Sequence, residues 1–545
     1  MAIREIGSIL LSSKAINQEQ LEFVLMIQAA SKTNERIGRI LRYYNFVSDE
    51  EIAKALAQQV GWRYFDKKYV VNLPAIEKIG LEYLKDRVFI PVETAKGLAF
   101  VFAYPFDIEA TDVLAKKEDN REFYIGSEEE IRYHLERLDN EKKIKEINEN
   151  ISRIKAEGFQ GDELKELAGY LLDNAVVEAA TDIHIEPGEK TSTVRFRIDG
   201  ILYFKFSIPK EVHNNLINVI FNKADITVSD FFKFHDARFQ HVYTNHPVDV
   251  RVSCIPSIFG PALVLRLLDV NKTLISLEKL GFNQAHFDAI KRVVQKPHGI
   301  IIITGPTGSG KTTSLYAILN QLKSISAKVI TIEDPVEIKM PLVNQVQINE
   351  KQGITFAHAT RAFLRHDPDI ILIGEIRDSE TAKEAIRASI TGHKVLSTLH
   401  TNSCVGSLYR LHDLGIEPSH IANSILCVVS QRLIRKLCPF CRKRISVKKE
   451  KLLEFFDSGL NANESEITLY KASGCKNCRA GYRGRTVIAE VLCFDEEMRD
   501  MVSQGKFDSL RQKKAQEGFI SLKQDAIRLV RQGVTSLEEA IRVAG

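Results

Sequence analysis

Residues 300–303 are isoleucines in unbroken succession, the pattern of a strand covered on both faces rather than the alternation of a half-exposed one. Apolar runs recur at Lys328–Ile332, Ile370–Ile373 and Lys394–Thr398, separated by stretches of helical spacing. This strand-then-helix repetition over 276–400 predicts a parallel sheet with helices on its faces and a ligand site at the strands' carboxyl ends. Upstream, 169–270 reads as an α/β segment with short strands at Thr193–Ile198, Val248–Cys254 and Ala262–Leu268. From about 127 to 168 the chain turns charged and weakly apolar, as in Glu128-Glu129-Glu130, which predicts a solvated helix or linker. Residues 496–545 read as mostly helical, with Thr535-Ser536-Leu537-Glu538 as a capping box before the last helix.

The first 60 residues are internally duplicated. Glu5-Ile6-Gly7-Ser8-Ile9-Leu10, followed by Leu21, Leu25 and Gln28, aligns with Arg36-Ile37-Gly38-Arg39-Ile40-Leu41, followed by Ile52, Leu56 and Gln59. In each copy Ile-Gly opens a short apolar turn, a polar break follows, and a second helix starts at an N-cap, Asn17 or Ser48. A mixed segment continues to about residue 130.

Composition narrows the class. A chain of 545 residues, 44% hydrophobic and 27% charged, has core enough for roughly three to five domains. Its net charge of +4 lacks a dominant basic footprint for nucleic acid. No apolar run approaches the roughly 20 residues needed to span a bilayer, and Met1-Ala2-Ile3-Arg4-Glu5 opens no secretory signal. The expectation is a cytoplasmic protein that meets membranes through a partner or a surface. Its eight cysteines then point to thiols or metal rather than disulfides.

The chemistry begins where the isoleucine run ends. Gly305-Pro306-Thr307-Gly308-Ser309-Gly310-Lys311-Thr312-Thr313 meets the phosphate-loop pattern, so the chain is expected to bind a nucleoside triphosphate with Mg²⁺. Glycines let backbone N–H groups curl around an anion, Lys311 reaches the β- and γ-phosphates, and the Thr312 hydroxyl is placed for Mg²⁺. Hydrolysis needs carboxylates as well. Glu333 follows one apolar strand and is expected to orient the attacking water; Glu375 follows another and is expected to organise the metal, since Gly374 stands where a Mg²⁺-binding Asp is common. Either acid could instead cap the next helix. His393 and His400 flank a further strand; one after a strand could sense the γ-phosphate, though such histidines are more often satisfied core residues. Cys438-Pro439-Phe440-Cys441 and Cys475-Lys476-Asn477-Cys478 can each bite one edge of a tetrahedral Zn²⁺, giving a closed, structural site, with a redox pair as the competing reading. Basic residues around them, such as Arg442, Lys443 and Arg444, suggest a solvated face or a docking surface.

The loop, the acidic box Glu333-Asp334-Pro335-Val336-Glu337, the Gly374-Glu375 strand and the histidine box occur together and in order. That set resembles the secretion ATPase superfamily, and within it the type II secretion and type IV pilus assembly motors (GspE/PilB-like). Ala180-Thr181-Asp182-Ile183-His184-Ile185-Glu186-Pro187 is similar to the family's Ser-Asp-Ile-His-Ile-Glu-Pro, with Thr181 for Ser. The resemblance implies an α/β chain with a RecA-like P-loop ATPase core (273–545) carrying a zinc insertion at 436–486. It also implies a preceding PAS-like α/β domain (169–272), a charged linker (131–168) and an N-terminal repeat domain (1–130). It implies Arg251 and Arg266 as phosphate-charge stabilisers, and Arg238 where the family's Gln-Asp-Gly-Arg reads His235-Asp236-Ala237-Arg238. The implied assembly is a homo-hexamer that hydrolyses ATP, peripheral at the inner membrane, acting on a membrane platform and its assembly partners.

The duplicated N-terminus resembles the paired motif by which MshE-type domains bind cyclic di-GMP. The second copy keeps Arg36, Gly38 and Gln59 but has Asn45 at a glycine position; the first keeps Gly7 and Gln28 but has Glu5 for Arg and Lys14 for Gly. A glutamate facing phosphate is electrostatically wrong, which favours a partner-docking domain of the same fold. Two rival functions stand beside the motor: a ring-forming DNA translocase, and a nucleotide-gated scaffold without hydrolysis.

Overall fold

The four isoleucines belong to a strand whose alternate side chains feed two different cores. Ile300 and Ile302 pack with Ile330, Ile332, Ile371 and Ile373 on one side. Ile301 and Ile303 pack with Leu315, Ile318, Leu319 and Leu372 on the other. A computed structural model describes residues 5–30, 35–67, 69–105, 122–135, 138–139, 161–227, 233–243, 246–268, 275–448, 466–475, 478–516 and 519–545. The chain forms two units, Met1–Ile198 with Leu202–Leu268, and Asp199–Ile201 with Asp269–Gly545.

The first unit opens with the duplication, and the backbone repeats as the sequence does. Helices α1 (Ile6–Ser12) and α3 (Ile37–Tyr43) follow extended residues of nearly equal geometry, Glu5 at φ −64° and ψ 142° and Arg36 at φ −68° and ψ 137°. Lys14 and Asn45 are both left-handed, at φ 60° and 55°. Asn is tolerated there, whereas lysine adopts that conformation at a cost. Helices α2 (Gln18–Ala30) and α4 (Asp49–Val60) start at the expected caps. Asn17 and Ser48 each accept a backbone N–H while Gln20 and Glu51 reach back to the cap's own N–H.

A four-stranded sheet in the order β1-β4-β3-β2 follows, built from β1 (Arg63–Tyr64), β2 (Phe89–Thr94), β3 (Gly97–Phe102) and β4 (Glu122–Ile125), with α5 (Leu73–Ile79) and α6 (Leu81–Arg87). Its core takes in Ile131 and Leu135, both buried, from the segment expected to be solvated. The other end of that segment also departs from expectation. Helix α7 (Gly161–Val177) buries Leu164, Leu167, Ala168 and Leu171 at helical spacing. The charged residues between the apolar ones lower the local hydropathy without breaking the stripe. Residues 140–160 of the expected linker lie outside the described residues.

Helices α7 and α8 (Lys210–Lys223) pack on a six-stranded sheet in the order β7-β6-β5-β10-β9-β8. Its strands are β5 (Ala180–Pro187), β6 (Thr191–Ile198), β7 (Ile201–Pro209), β8 (His235–Tyr243), β9 (His246–Ser257) and β10 (Gly260–Leu268). The three strands anticipated here form, β6 and β10 slightly longer than expected and β9 extended at both ends to 12 residues.

The second unit is a seven-stranded sheet in the order β13-β12-β14-β15-β11-β16-β19. Its strands β11 (Gly299–Thr304), β12 (Val329–Glu333), β13 (Val343–Gln347), β14 (Ile370–Ile373) and β15 (Lys394–Leu399) run parallel. Helices α9 (Gln284–Val294) and α10 (Lys311–Leu322) cover one face. Helices α11 (Phe356–Phe363), α12 (Ser379–Ile390), α13 (Cys404–Asp413) and α14 (Pro418–Ser424) cover the other. The expectation of a parallel sheet holds up to β16 (Ile425–Leu437), which pairs parallel to β11 but antiparallel to β19 (Tyr482–Cys493). These two long strands were not anticipated. The cysteine-bearing segment is their connection, carrying the small pair β17 (Lys443–Lys448) and β18 (Glu466–Lys471).

Helices α15 (Glu496–Ser503), α16 (Phe507–Gln516), α17 (Leu522–Arg531) and α18 (Leu537–Ala544) end the chain. The cap of α18 is Ser536, which accepts from Glu539 N, rather than Thr535. The Thr535 hydroxyl instead donates to Arg435 O at 2.8 Å. Glu539 locks α18 to β16: its carboxylate accepts from Arg435 Nη2 at 2.7 Å and from Arg542 Nη2 at 2.6 Å, with no side-chain exposure. Burial opposes its charge, but the hydrogen bonds from Arg542 and Arg435 outweigh burial and hold its pKa down at about 2.

A carboxyl depressed on folding adds stability above its unfolded pKa, about 4.3, and loses it as pH falls toward the folded value. Glu539→Gln should therefore cost about 3 kcal/mol at pH 7, because it strands the largely buried Arg435 guanidinium. In urea denaturation at stepped pH the gap from wild type should narrow from about pH 4.5 downward; a gap constant to pH 3 would remove the ion pair from the account.

Candidate active site

Two glycines set the loop between β11 and α10. Gly305 has φ 144°, and a Cβ there would lie 2.4 Å from Gln431 O and 2.8 Å from Ser309 Oγ. Gly310, at φ 86°, ends the loop as the N-cap of α10. Lys311 Nζ donates to Gly305 O at 2.8 Å and Pro306 O at 3.2 Å. Burial pulls its pKa down, and the charge of Glu375 acts against that. Ser309 Oγ is buried without a hydrogen-bond partner. An unsatisfied hydroxyl, a lysine and a helix N-terminus around one loop suit the phosphates of a nucleotide. Thr312 is exposed in the first turn of α10, where its hydroxyl could ligate Mg²⁺.

The loop is braced from two strands. The Thr304 hydroxyl bonds Leu399 O at 3.0 Å and Thr401 Oγ1 at 2.8 Å, tying the ends of β11 and β15. Gln431, fully buried on β16, donates to Ser309 O and accepts from Ser314 Oγ, each at 2.9 Å. Its function was not read from the sequence. A signal was present: a glutamine following the buried run Ile425–Ser430 must find partners, and such residues usually brace something.

Of the anticipated carboxylates, Glu375 lies just past β14 with its side chain 12% exposed. Its Oε1 is 2.5 Å from Arg377 Nη2 and its Oε2 is 3.1 Å from His400 Nε2. Arg377, which the sequence reading passed over, is also 4.0 Å from Asp334. Glu333 ends β12 in a different setting. It is 4% exposed, and Tyr316 OH donates to Oε2, while Thr331 Oγ1 (2.6 Å) and Gln345 Nε2 (3.2 Å) donate to Oε1. Burial raises the Tyr316 pKa, with the Glu333 charge adding to the effect, so this hydroxyl stays protonated and donates.

The histidines separate. His400 follows the carboxyl end of β15, beside Glu375. His393 precedes Lys394 at the other end of that strand, its Nδ1 3.0 Å from Ala388 O and from Thr391 Oγ1. Six residues of strand put it roughly 20 Å from the loop edge.

In the first unit, the anticipated arginines form a row. Arg238, Arg251 and Arg266 are successive cross-strand partners on β8, β9 and β10, and Asp182 and Arg197 continue the row on β5 and β6. Directly opposed residues share a face, here the one turned away from the helices. Arg266 Nε bonds Asp182 Oδ1 at 3.0 Å, and Arg197 Nε is 3.7 Å from Oδ2.

Cys438, Cys441, Cys475 and Cys478 converge, with ligand atoms all within 4.8 Å of one another. The closest sulfur pairs are 3.7 Å and 3.8 Å apart. A tetrahedron with Zn–S bonds near 2.3 Å has edges of about 3.8 Å, so the donor set fits a tetrahedral, thiolate-bound metal ion such as zinc.

Residues 160–542 match the family model described as Type II/IV secretion system protein. The chain is 42% identical over 378 residues to the type II secretion system ATPase E of Vibrio cholerae, covering 69% of this chain and 74% of that one. It is 34% identical over 558 residues to the type IV pilus assembly ATPase PilB of Myxococcus xanthus, covering 98% of each. The ATPase DotB of Legionella pneumophila matches in fold, with TM-score 0.51 at 24% identity over 68% of this chain and 93% of that one.

Gln431→Ala removes two buried hydrogen bonds at about 1–3 kcal/mol each when partners are stranded. Nucleotide titration should show affinity for ATP weakened by roughly tenfold or more, with the fold retained by circular dichroism. Cys475→Ser should lower bound zinc from one ion per chain toward none by elemental analysis, and full retention would dismiss the four-thiol site.

Proposed function

This chain belongs to the type II/IV secretion system protein family, and from that membership we infer that it hydrolyses ATP to drive type IV pilus or type II secretion filament assembly. The observation that carries the chemistry is Glu375, held between Arg377 and His400 and exerting its charge on Lys311 of the phosphate loop.

The loop amides and Lys311 hold the β- and γ-phosphates, and the Thr312 hydroxyl is the protein's ligand to Mg²⁺. Bound Mg²⁺ supplies neutralisation of charge on the phosphate oxygens. The sequence assigned the attacking water to Glu333 and the metal side to Glu375. On this geometry we assign the water to Glu375, because all of Glu333's oxygens already accept from Tyr316, Thr331 and Gln345. Glu333 then serves to lock α10 to β12 and β13. His400, touching Glu375, is the residue through which loss of the γ-phosphate is sensed; His393 has no part in this.

Arg251 and Arg266 are the charge stabilisers, supported by their register on one open face of the first unit's sheet. A guanidinium on the transferring phosphate is worth 10³–10⁵ in rate in related chemistry. Contacts that differ before and after cleavage bias one conformation over another, which turns hydrolysis into motion. The working assembly is a homo-hexamer, cytoplasmic and held at the inner membrane by a platform protein; no described helix is long and apolar enough to cross a bilayer. Zinc in the four-cysteine site staples the β17–β18 segment. The duplicated N-terminal domain docks a partner, supported by Glu5 at the position where cyclic di-GMP recognition calls for arginine, and by the Arg36 guanidinium lying 5.4 Å over the Tyr104 ring.

Lys311→Ala should abolish ATP binding or turnover. Glu375→Gln should bind ATP normally and lose roughly 10²–10⁴ in phosphate release, the range for a positioned base, while Glu333→Gln loses far less. Normal turnover in Glu375→Gln together with lost turnover in Glu333→Gln would return the water to Glu333.

A further inference from the structure

A pair of thiols lies in the sheet beside the phosphate loop. Cys427 on β16 and Cys493 on β19 are direct cross-strand partners in an antiparallel pair. Their Sγ atoms are 3.1 Å apart, about 1 Å longer than a disulfide bond. Cys404 is close by, but its thiol is engaged with the Val428 and Glu490 carbonyls at 3.2 Å and 3.3 Å. The four cysteines of the metal cluster form their own group among the described residues.

The two thiols are unequal. The hydrogen bond to Cys493 and burial both push the Cys427 pKa up. Cys493 is only half-buried, and its pKa is drawn down by the hydrogen bond from Cys427 against burial, with Arg292 and Lys296 adding to the effect. A partly exposed thiol of lowered pKa beside a second thiol is the arrangement for attack and resolution.

We propose that Cys427 and Cys493 are a reversible disulfide-forming site that reacts with small-molecule disulfides such as oxidised glutathione. The Cys493 thiolate attacks one sulfur of the reagent; the reagent's S–S bond breaks and the first thiolate leaves, taking a proton. Cys427 gives its proton to solvent and attacks the Cys493 sulfur, expelling the second thiolate, which is protonated in turn. Two protein thiols are oxidised to one disulfide while one reagent disulfide is reduced to two thiols, so no other oxidant is required.

The site reaches the nucleotide loop through one strand. On its other edge β16 pairs with β11, Ile301 opposite Cys427. Further along β16, Gln431 grips Ser309 and Ser314. Drawing Cys427 toward β19 therefore shifts the strand that braces the loop, and the cross-link lowers turnover.

The test uses the full-length chain, with zinc content measured throughout, treated with excess oxidised glutathione. Free thiols are then blocked with a maleimide, and peptides are mapped without reduction. A Cys427–Cys493 linked peptide is expected, and Cys427→Ser should instead keep a glutathione adduct on Cys493. ATP turnover of the wild type should fall several-fold and recover with dithiothreitol, whereas Cys493→Ser should not respond. Cys493 recovered as the maleimide adduct from oxidised, folded wild type overturns the site. A linked peptide with unchanged turnover overturns its reach to the loop. If a serine variant fails to fold, the wild-type peptide map decides alone.

Discussion

The architecture of the second unit depends on holding β11 on every side. Its two faces feed two hydrophobic cores, and its two edges pair in parallel with β15 and β16. A strand so confined has one backbone position, and the loop that leaves it inherits that precision. Interiors packed to crystal-like density do not deform gradually, so the Gly305 turn starts from a fixed point. The hydrogen bonds from Thr304 to the end of β15 and from Gln431 to Ser309 extend the same constraint into the loop. Both braces come from long-range partners, and a glycine-rich segment otherwise carries the largest conformational freedom in the chain.

The charge arrangement at the sheet's edge follows from the parallel topology. β11, β12, β14 and β15 all end on one side, so Lys311, Glu333, Glu375 and His400 approach that side from four different strands. Burial separates the two acids. Both oxygens of Glu333 accept from neutral donors, which fix its position. Glu375 is held by a cation and an imidazole, partners that exchange more readily for a ligand's charge. The arginine row of the first unit follows a similar logic: with apolar side chains turned inward on alternate positions, the intervening Arg238, Arg251 and Arg266 must share the opposite face.

Beyond β16 and β19, small elements rely on links other than a large core. The β17–β18 pair contributes few buried apolar residues, among them Ile467 and Leu469. A metal at the four thiols adds a constraint that such a segment cannot obtain from burial alone. The C-terminal helices are tied by buried charge instead, through Glu539 with Arg435 and through Asp525, which accepts from Asn283 Nδ2 and Ala489 N at 3.0 Å each.

Local patterns were enough to establish several features of this chain: the doubly covered strand at 300–303, the phosphate loop after it, the duplicated N-terminal helices with their caps, and the two cysteine knuckles. Each is written in contiguous residues whose spacing carries its own physics. Other features depend on distant residues meeting. His393 and His400 flank one strand with equal local claims, and only the direction of β15 brings one beside Glu375 and sends the other to the far edge. The helix at Gly161–Val177 was masked by interleaved charge, because its stripe counts only once a sheet lies against it. Gln431, Arg377 and the facing thiols of Cys427 and Cys493 acquire meaning from neighbours many residues away. Pairing register and burial decide those neighbours, and both belong to the folded chain rather than to any short stretch of it.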